Sequence, residues 1–101
     1  MILWMLDADR KPINAPDLTT WGKWFENDDN RRVARDEIRP GVMVSTVFLG
    51  VDHNRSGRGG PILFETMVFT DGDGGKTERY RTWAEAEAGH RKLVAALRIT
   101  D

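Results

Sequence analysis

Residues 42–51 constrain the fold more than any other stretch of this chain. Val42, Val44, Thr46 and Phe48 alternate with Met43, Ser45, Val47 and Leu49, so a strand built from them is apolar on both faces. Such a strand belongs inside a sheet, where both sets of side chains find cover. Residues 62–69, Ile-Leu-Phe-Glu-Thr-Met-Val-Phe, read as a second strong strand, and Arg39-Pro40-Gly41 is a strong turn signal ahead of the first. Residues 32–38 alternate poorly and read as an edge strand or an irregular approach to the sheet. Residues 77–81 predict a shorter strand, after a tight connection through Asp71-Gly72-Asp73-Gly74-Gly75. Residues 2–6 predict a first strand, ending in a charged surface turn from Asp7 to Pro12.

Two helices complete the pattern. Pro16-Asp17 is a helix start with Asp17 as N-cap, and Leu18, Trp21 and Phe25 follow at helical spacing, with Trp24 beside them, to about Asn27. Gly22 inside that helix costs up to about 1 kcal/mol relative to Ala, and residues 26–30 are a polar stop. Thr82-Trp83-Ala84-Glu85 is a capping box, in which hydroxyl and carboxylate satisfy each other's free backbone N–H groups. It opens a helix to about Leu97 or Arg98, whose apolar stripe is Trp83, Ala86, His90, Leu93, Val94 and Leu97. Strands joined by turns make an antiparallel sheet, so the expected fold is α+β. One domain, residues 1–101, carries about four to five strands, with both helices on one face of the sheet.

Length and composition limit function. A chain of 101 residues with 40% hydrophobic and 31% charged residues suits one globular domain and argues against disorder. Its 15 basic and 16 acidic residues are interspersed, which leaves no basic excess to attract nucleic acid. Arg31, Arg32, Arg35 and Arg39 follow the tryptophan helix but alternate with Asp28, Asp29, Asp36 and Glu37, so a stacking surface for single strands is a minor reading. No apolar run reaches the membrane-spanning length of about 20 residues, and the opening MILWML lacks the flanks of a signal peptide. The absence of cysteine removes disulfides and thiolate chemistry and fits a cytoplasmic protein.

Familiar motifs fit poorly. Gly75-Lys76-Thr77 has Thr70 where a phosphate-binding loop needs glycine, and strand rather than helix follows it. Asp71, Asp73 and Gly75 begin like a calcium loop, but Gly75 and Thr82 occupy positions that need carboxylate or amide ligands. Gly57 to Gly60 would bring backbone N–H groups near an anion, with Arg55 and Arg58 alongside, but a mobile hairpin tip is the simpler expectation. The chemistry-bearing group is Asp52, His53, Glu65 and His90, which includes both histidines of the chain. Should the last helix pack on the Leu63, Met67 and Phe69 side of the sheet, Glu65 and His90 would meet. With His53 they would form a zinc or iron site or an acid–base pair, Asp52 orienting His53. The competing expectation makes His90 a hydrogen-bonded core residue and pairs Glu65 with Arg79 or Arg81 across the sheet.

Four tryptophans are many for this length. Trp83 is expected in the core. Trp21 and Trp24 cannot both face inward comfortably from a short helix. One exposed indole would suit a binding hot spot, while the alternative is that a small core fills its volume with large rings.

Three segments carry a resemblance: Val44-Ser-Thr-Val-Phe-Leu-Gly-Val-Asp-His53, Gly60-Pro-Ile-Leu-Phe-Glu-Thr-Met-Val-Phe69 and Arg79-Tyr-Arg-Thr-Trp-Ala-Glu-Ala-Glu-Ala-Gly-His90. Together they resemble a family of short, mostly uncharacterised phage and prophage proteins. Its members carry STVFLGLDH, a glycine-rich gap, P-x-LFETMVF and RY-x-T-x-x-EA-x-x-GH. The likeness covers about the last sixty residues. Val51 replaces a commoner leucine, and Gly60-Pro61 replaces a double proline. The resemblance implies a phage or prophage setting and no established activity.

The expectation is a small phage or prophage accessory protein without a cofactor. It would work by binding a host or phage protein, including components of bacterial defence such as CRISPR systems. Its binding residues would be Trp21 and Trp24 on the helix and Asp52, His53, Arg55 and Arg58 on the loop. The rivals are a metal-dependent enzyme using His53, Glu65 and His90, and a structural homodimer formed through edge strands.

Overall fold

The computed structural model describes residues 2–99. Its centre is an antiparallel sheet of four strands in the order β3-β4-β5-β6. The strands are β3 (Arg32–Arg39), β4 (Val42–Phe48), β5 (Phe64–Thr70) and β6 (Asp73–Tyr80). β4 is interior, as its two apolar faces require, and β3 is an edge strand interrupted by register shifts between Arg32 and Ala34 and between Glu37 and Arg39. The fold is α+β.

Helix α3 (Trp83–Ile99) lies across one face of this sheet. The capping box forms: Glu85 accepts from the Thr82 backbone N–H at 3.0 Å, and Thr82 accepts from that of Glu85 at 3.1 Å. The face beneath α3 carries Val44, Thr46 and Phe48 from β4, paired in register with Val68, Thr66 and Phe64 from β5. Val44, Thr46, Phe48, Phe64 and Thr66 have no exposed surface. Trp24, Phe48, Phe64 and Trp83 meet edge-on in sequence, with ring centroids 5.2–6.3 Å apart.

The β5–β6 connection is tighter than the expected five-residue turn. Only Asp71 (φ 52°) and Gly72 (φ 85°) stand between the strands, and two successive positive φ angles make the turn that matches strand twist. Asp73, Gly74 and Gly75 already belong to β6. Gly74 serves packing, since a Cβ there would stand 2.7 Å from Met67 Sδ.

The N-terminal third forms a second, two-stranded sheet, β1 (Trp4–Leu6) with β2 (Pro12–Asn14). The turn at Asp7 occurs, its carboxylate accepting from the backbone N–H groups of Asp9 and Lys11. Pro12, expected to end that turn, instead begins the returning strand. Helix α1 (Leu18–Phe25) starts at Asp17, whose side chain accepts from Thr20 N, and a single turn, α2 (Asp28–Arg31), occupies the expected polar stop. β1 is tied to the end of β4 by Trp4 N–H donating to Gly50 O at 2.8 Å. Gly50 has φ +77°, and a Cβ there would lie 2.6 Å from the Phe25 ring, so only glycine lets α1 close on this junction. No helix among the described residues is long and apolar enough to cross a membrane.

Candidate functional site

The residues singled out for chemistry separate into three places. His90, on the buried stripe of α3, is 2% exposed. Its Nδ1 meets Thr46 Oγ1 at 2.7 Å and its Nε2 meets Asp36 Oδ2 at 2.7 Å. Thr46 Oγ1 also meets Thr66 Oγ1. The contacts form one continuous chain from Thr66 through Thr46 and the His90 ring to the Asp36 carboxylate. The chain ties α3 to β3, β4 and β5 together. It has the composition of a nucleophile–base–acid triad, but the Thr46 hydroxyl has no exposed surface, so no substrate atom reaches it.

Glu65 lies on the opposite face of the sheet. It pairs with Arg79 on β6, whose Nε donates to Glu65 Oε2 at 2.9 Å. The expected meeting of Glu65 and His90 is thereby corrected. Phe64 and Thr66 face α3, so Glu65 between them faces away. Leu63, used to assign the face, precedes β5 and is buried in the core with Phe64, where the alternation does not apply. His53 stands beyond the end of β4, its N–H donating to Ile62 O at 2.9 Å. His53, Glu65 and His90 do not converge, and among the described residues no three His, Asp or Glu side chains are grouped to hold a metal.

Trp21 and Trp24 are both half-buried. The Trp21 indole N–H donates to Trp4 O at 3.0 Å and its ring stacks on Phe25 at 4.5 Å. Trp24 packs edge-on against Phe48. Neither indole stands fully free: the β1–β2 hairpin, only half legible from sequence, gives Trp21 a second surface to pack against.

The loop of residues 52–61 is closed by its own side chains. Asp52 Oδ1 accepts from the backbone N–H of Asn54 at 2.7 Å and of Ile62 at 2.9 Å, clamping the base. Asn54 Nδ2 donates to the carbonyls of Arg58 at 2.6 Å and Gly60 at 2.9 Å, while Asn54 Oδ1 accepts from Ser56. Outside the loop, Arg81 Nε donates to Gly60 O at 3.1 Å. Asp52 is held below the ordinary carboxylate value first by the Asn54 N–H, then by that of Ile62, with smaller help from the charges of His53 and Arg81. This bonding organises the segment expected to be a mobile hairpin tip.

Beside the clamp is a cleft of about 440 Å³ lined by Ile2, Trp4, Val51, Asp52, His53 and Arg55. Ile2, 63% exposed, also borders a second cleft on whose far side Leu18 is 70% exposed. Arg55 and Arg58 project from the loop, and neither guanidinium meets a carboxylate among the described residues. One end of the molecule thus joins exposed aliphatic side chains to unpaired positive charge on a cross-braced loop. Compared with protein-family models, curated proteins and solved structures, the chain matches none of them.

Proposed function

We propose that this chain is a small phage or prophage accessory protein that acts by binding a host or phage protein, a component of a bacterial defence system being the host class the setting suggests. The setting rests on the resemblance of residues 44–53, 60–69 and 79–90. The mode of action rests on one observation: exposed Ile2 lines one cleft with Arg55 and a second with exposed Leu18. Large aliphatic groups gathered at one end, next to arginine, have the character of an interface centre with its rim. The complementary partner surface offers an apolar anchor for the Ile2 and Trp4 cleft and carboxylates for the two arginines. Asp52, clamping the loop base, acts by positioning and not by contact.

The test compares the wild-type protein with an Ile2→Asp variant and an Arg55→Glu/Arg58→Glu double variant. Each is used to capture partners from a bacterial lysate, and the captured protein is then purified and titrated. The expected result is a stoichiometric partner whose affinity falls at least about tenfold in both variants, the size of a lost interface residue. Thermal midpoints should stay unchanged, since all three side chains are exposed. A partner bound equally by all three proteins would move the interface elsewhere, and no stoichiometric partner at all would overturn the reading.

A further inference from the structure

The face of the sheet turned away from α3 is uncovered. Met43, Ser45 and Val47 of β4 lie there opposite Phe69, Met67 and Glu65 of β5, and among the described residues no helix or strand packs over them. Met43, Val47, Met67 and Phe69 are all half-buried, with a shallow groove of about 270 Å³ running past Met43, Val47 and Phe69 towards Arg31 and Arg35. The Met67 thioether lies over Gly74, where a Cβ would stand 2.7 Å from its sulfur.

From this face we infer that two copies of the chain pair, open sheet against open sheet. The charge pattern selects a second copy over a strongly acidic or basic partner. Arg35 and Glu37 of β3 stand in register with Ser45 and Met43, so both signs border the apolar centre, while Arg32 and Arg79 already pair within the chain with Asp29 and Glu65. A two-fold axis sets such a mixed rim against its own copy and brings opposite charges together. Arg35 supports this, because its Nε rests on Met43 Sδ, a weak acceptor, and meets no carboxylate among the described residues.

Pairing would convert two layers, helix and sheet, into four, with the sheets about 10 Å apart.

Sedimentation velocity over a wide concentration range tests the inference, on wild-type protein and on Phe69→Glu, Met67→Glu and Arg35→Glu variants. An Arg55→Glu variant, at the loop end assigned to a heterologous partner, serves as control and keeps the two assignments separable. The wild type and control should sediment at twice the 11.5 kDa chain mass. Phe69→Glu and Met67→Glu should weaken association at least about thirtyfold, as expected when a central contact is lost. Arg35→Glu should weaken it less while leaving the fold intact by circular dichroism, which guards against unfolding in the other two. A wild type monomeric at every concentration would overturn the inference and leave the face to a different protein. A dimer indifferent to all three substitutions would also overturn it and place pairing at the β3 or β6 edge.

Discussion

The two faces of one sheet carry similar apolar content to different ends. Beneath α3, Val44, Phe48 and Phe64 are sealed and the polar groups among them, Thr46, Thr66 and His90, are hydrogen-bonded to each other. On the other face Met43, Val47, Met67 and Phe69 are half-buried, and the polar groups among them are Ser45 and Glu65, the latter paired with Arg79. Alternation alone treats the two sets as equals. What separates them is volume and flexibility. The sealed face holds β-branched and aromatic groups that fix a helix at one distance, while the open face holds methionines, which adapt to a surface that arrives later.

The largest expected effect separates these faces directly. Phe64→Ala, beneath α3, should cost about 3–5 kcal/mol, through lost burial and a cavity that the rigid surroundings cannot close. Phe69→Ala, on the same strand but the open face, should cost about 1 kcal/mol, because its ring is only partly withdrawn from water. Urea unfolding at low protein concentration, where association does not contribute, measures both. Equal losses would mean that the open face is covered in the single chain and that the comparison fails.

The same contrast explains what the sequence could convey. The strands β4 and β5, the Asp17 cap and the Thr82–Glu85 box were legible because each depends on neighbours in sequence. So was the buried stripe of α3, where Ala86, His90 and Val94 are sealed as the helical spacing predicts. The side of the sheet that α3 covers was less legible, since Leu63 joins the core from outside the strand while Glu65, Met67 and Phe69 share the uncovered face. The short β2 and α2 were missed because Pro12 and the Asp28–Arg31 turn have polar sequences and gain their structure from pairing and capping. The polar chain at His90 did leave a signal. Thr46 and Thr66 interrupt two apolar strand faces, and His90 interrupts an apolar helix stripe. Three polar interruptions with no route to water imply that they meet. Asp36, from a strand read as irregular, was beyond that argument.

The second prediction weighs that chain. His90→Ala takes from the buried Thr46 hydroxyl its His90 partner, leaving it only Thr66, and opens a void beneath α3. A buried unsatisfied hydroxyl costs about 1–3 kcal/mol, and with the cavity the loss should reach about 2–4 kcal/mol. Asp36→Ala removes only the outer end, where the carboxylate side chain is 43% exposed and water can replace it, and should cost about 1 kcal/mol. Thermal unfolding of the two variants side by side gives the ratio. Parity between them would transfer the anchoring role from the buried hydroxyls to the His90–Asp36 contact.

The smallest expected effect tests whether volume or polar satisfaction governs the covered face. Trp83 opens α3, packs edge-on to Phe64 at 6.3 Å and carries the Arg10 guanidinium 4.5 Å over its ring. Its indole N–H is buried without a hydrogen-bond partner. Trp83→Phe keeps an aromatic ring against Phe64 and removes the stranded donor, whose desolvation costs about 1–3 kcal/mol. That gain offsets the lost area, so stability should change by no more than about 1 kcal/mol, whereas Trp83→Ala should lose about 3–5 kcal/mol. A phenylalanine variant as damaged as the alanine one would mean that the indole N–H finds an acceptor in solution. That hydrogen bond would then add to the volume lost beneath α3, and satisfaction of polar groups would matter at this site as well as along the His90 chain.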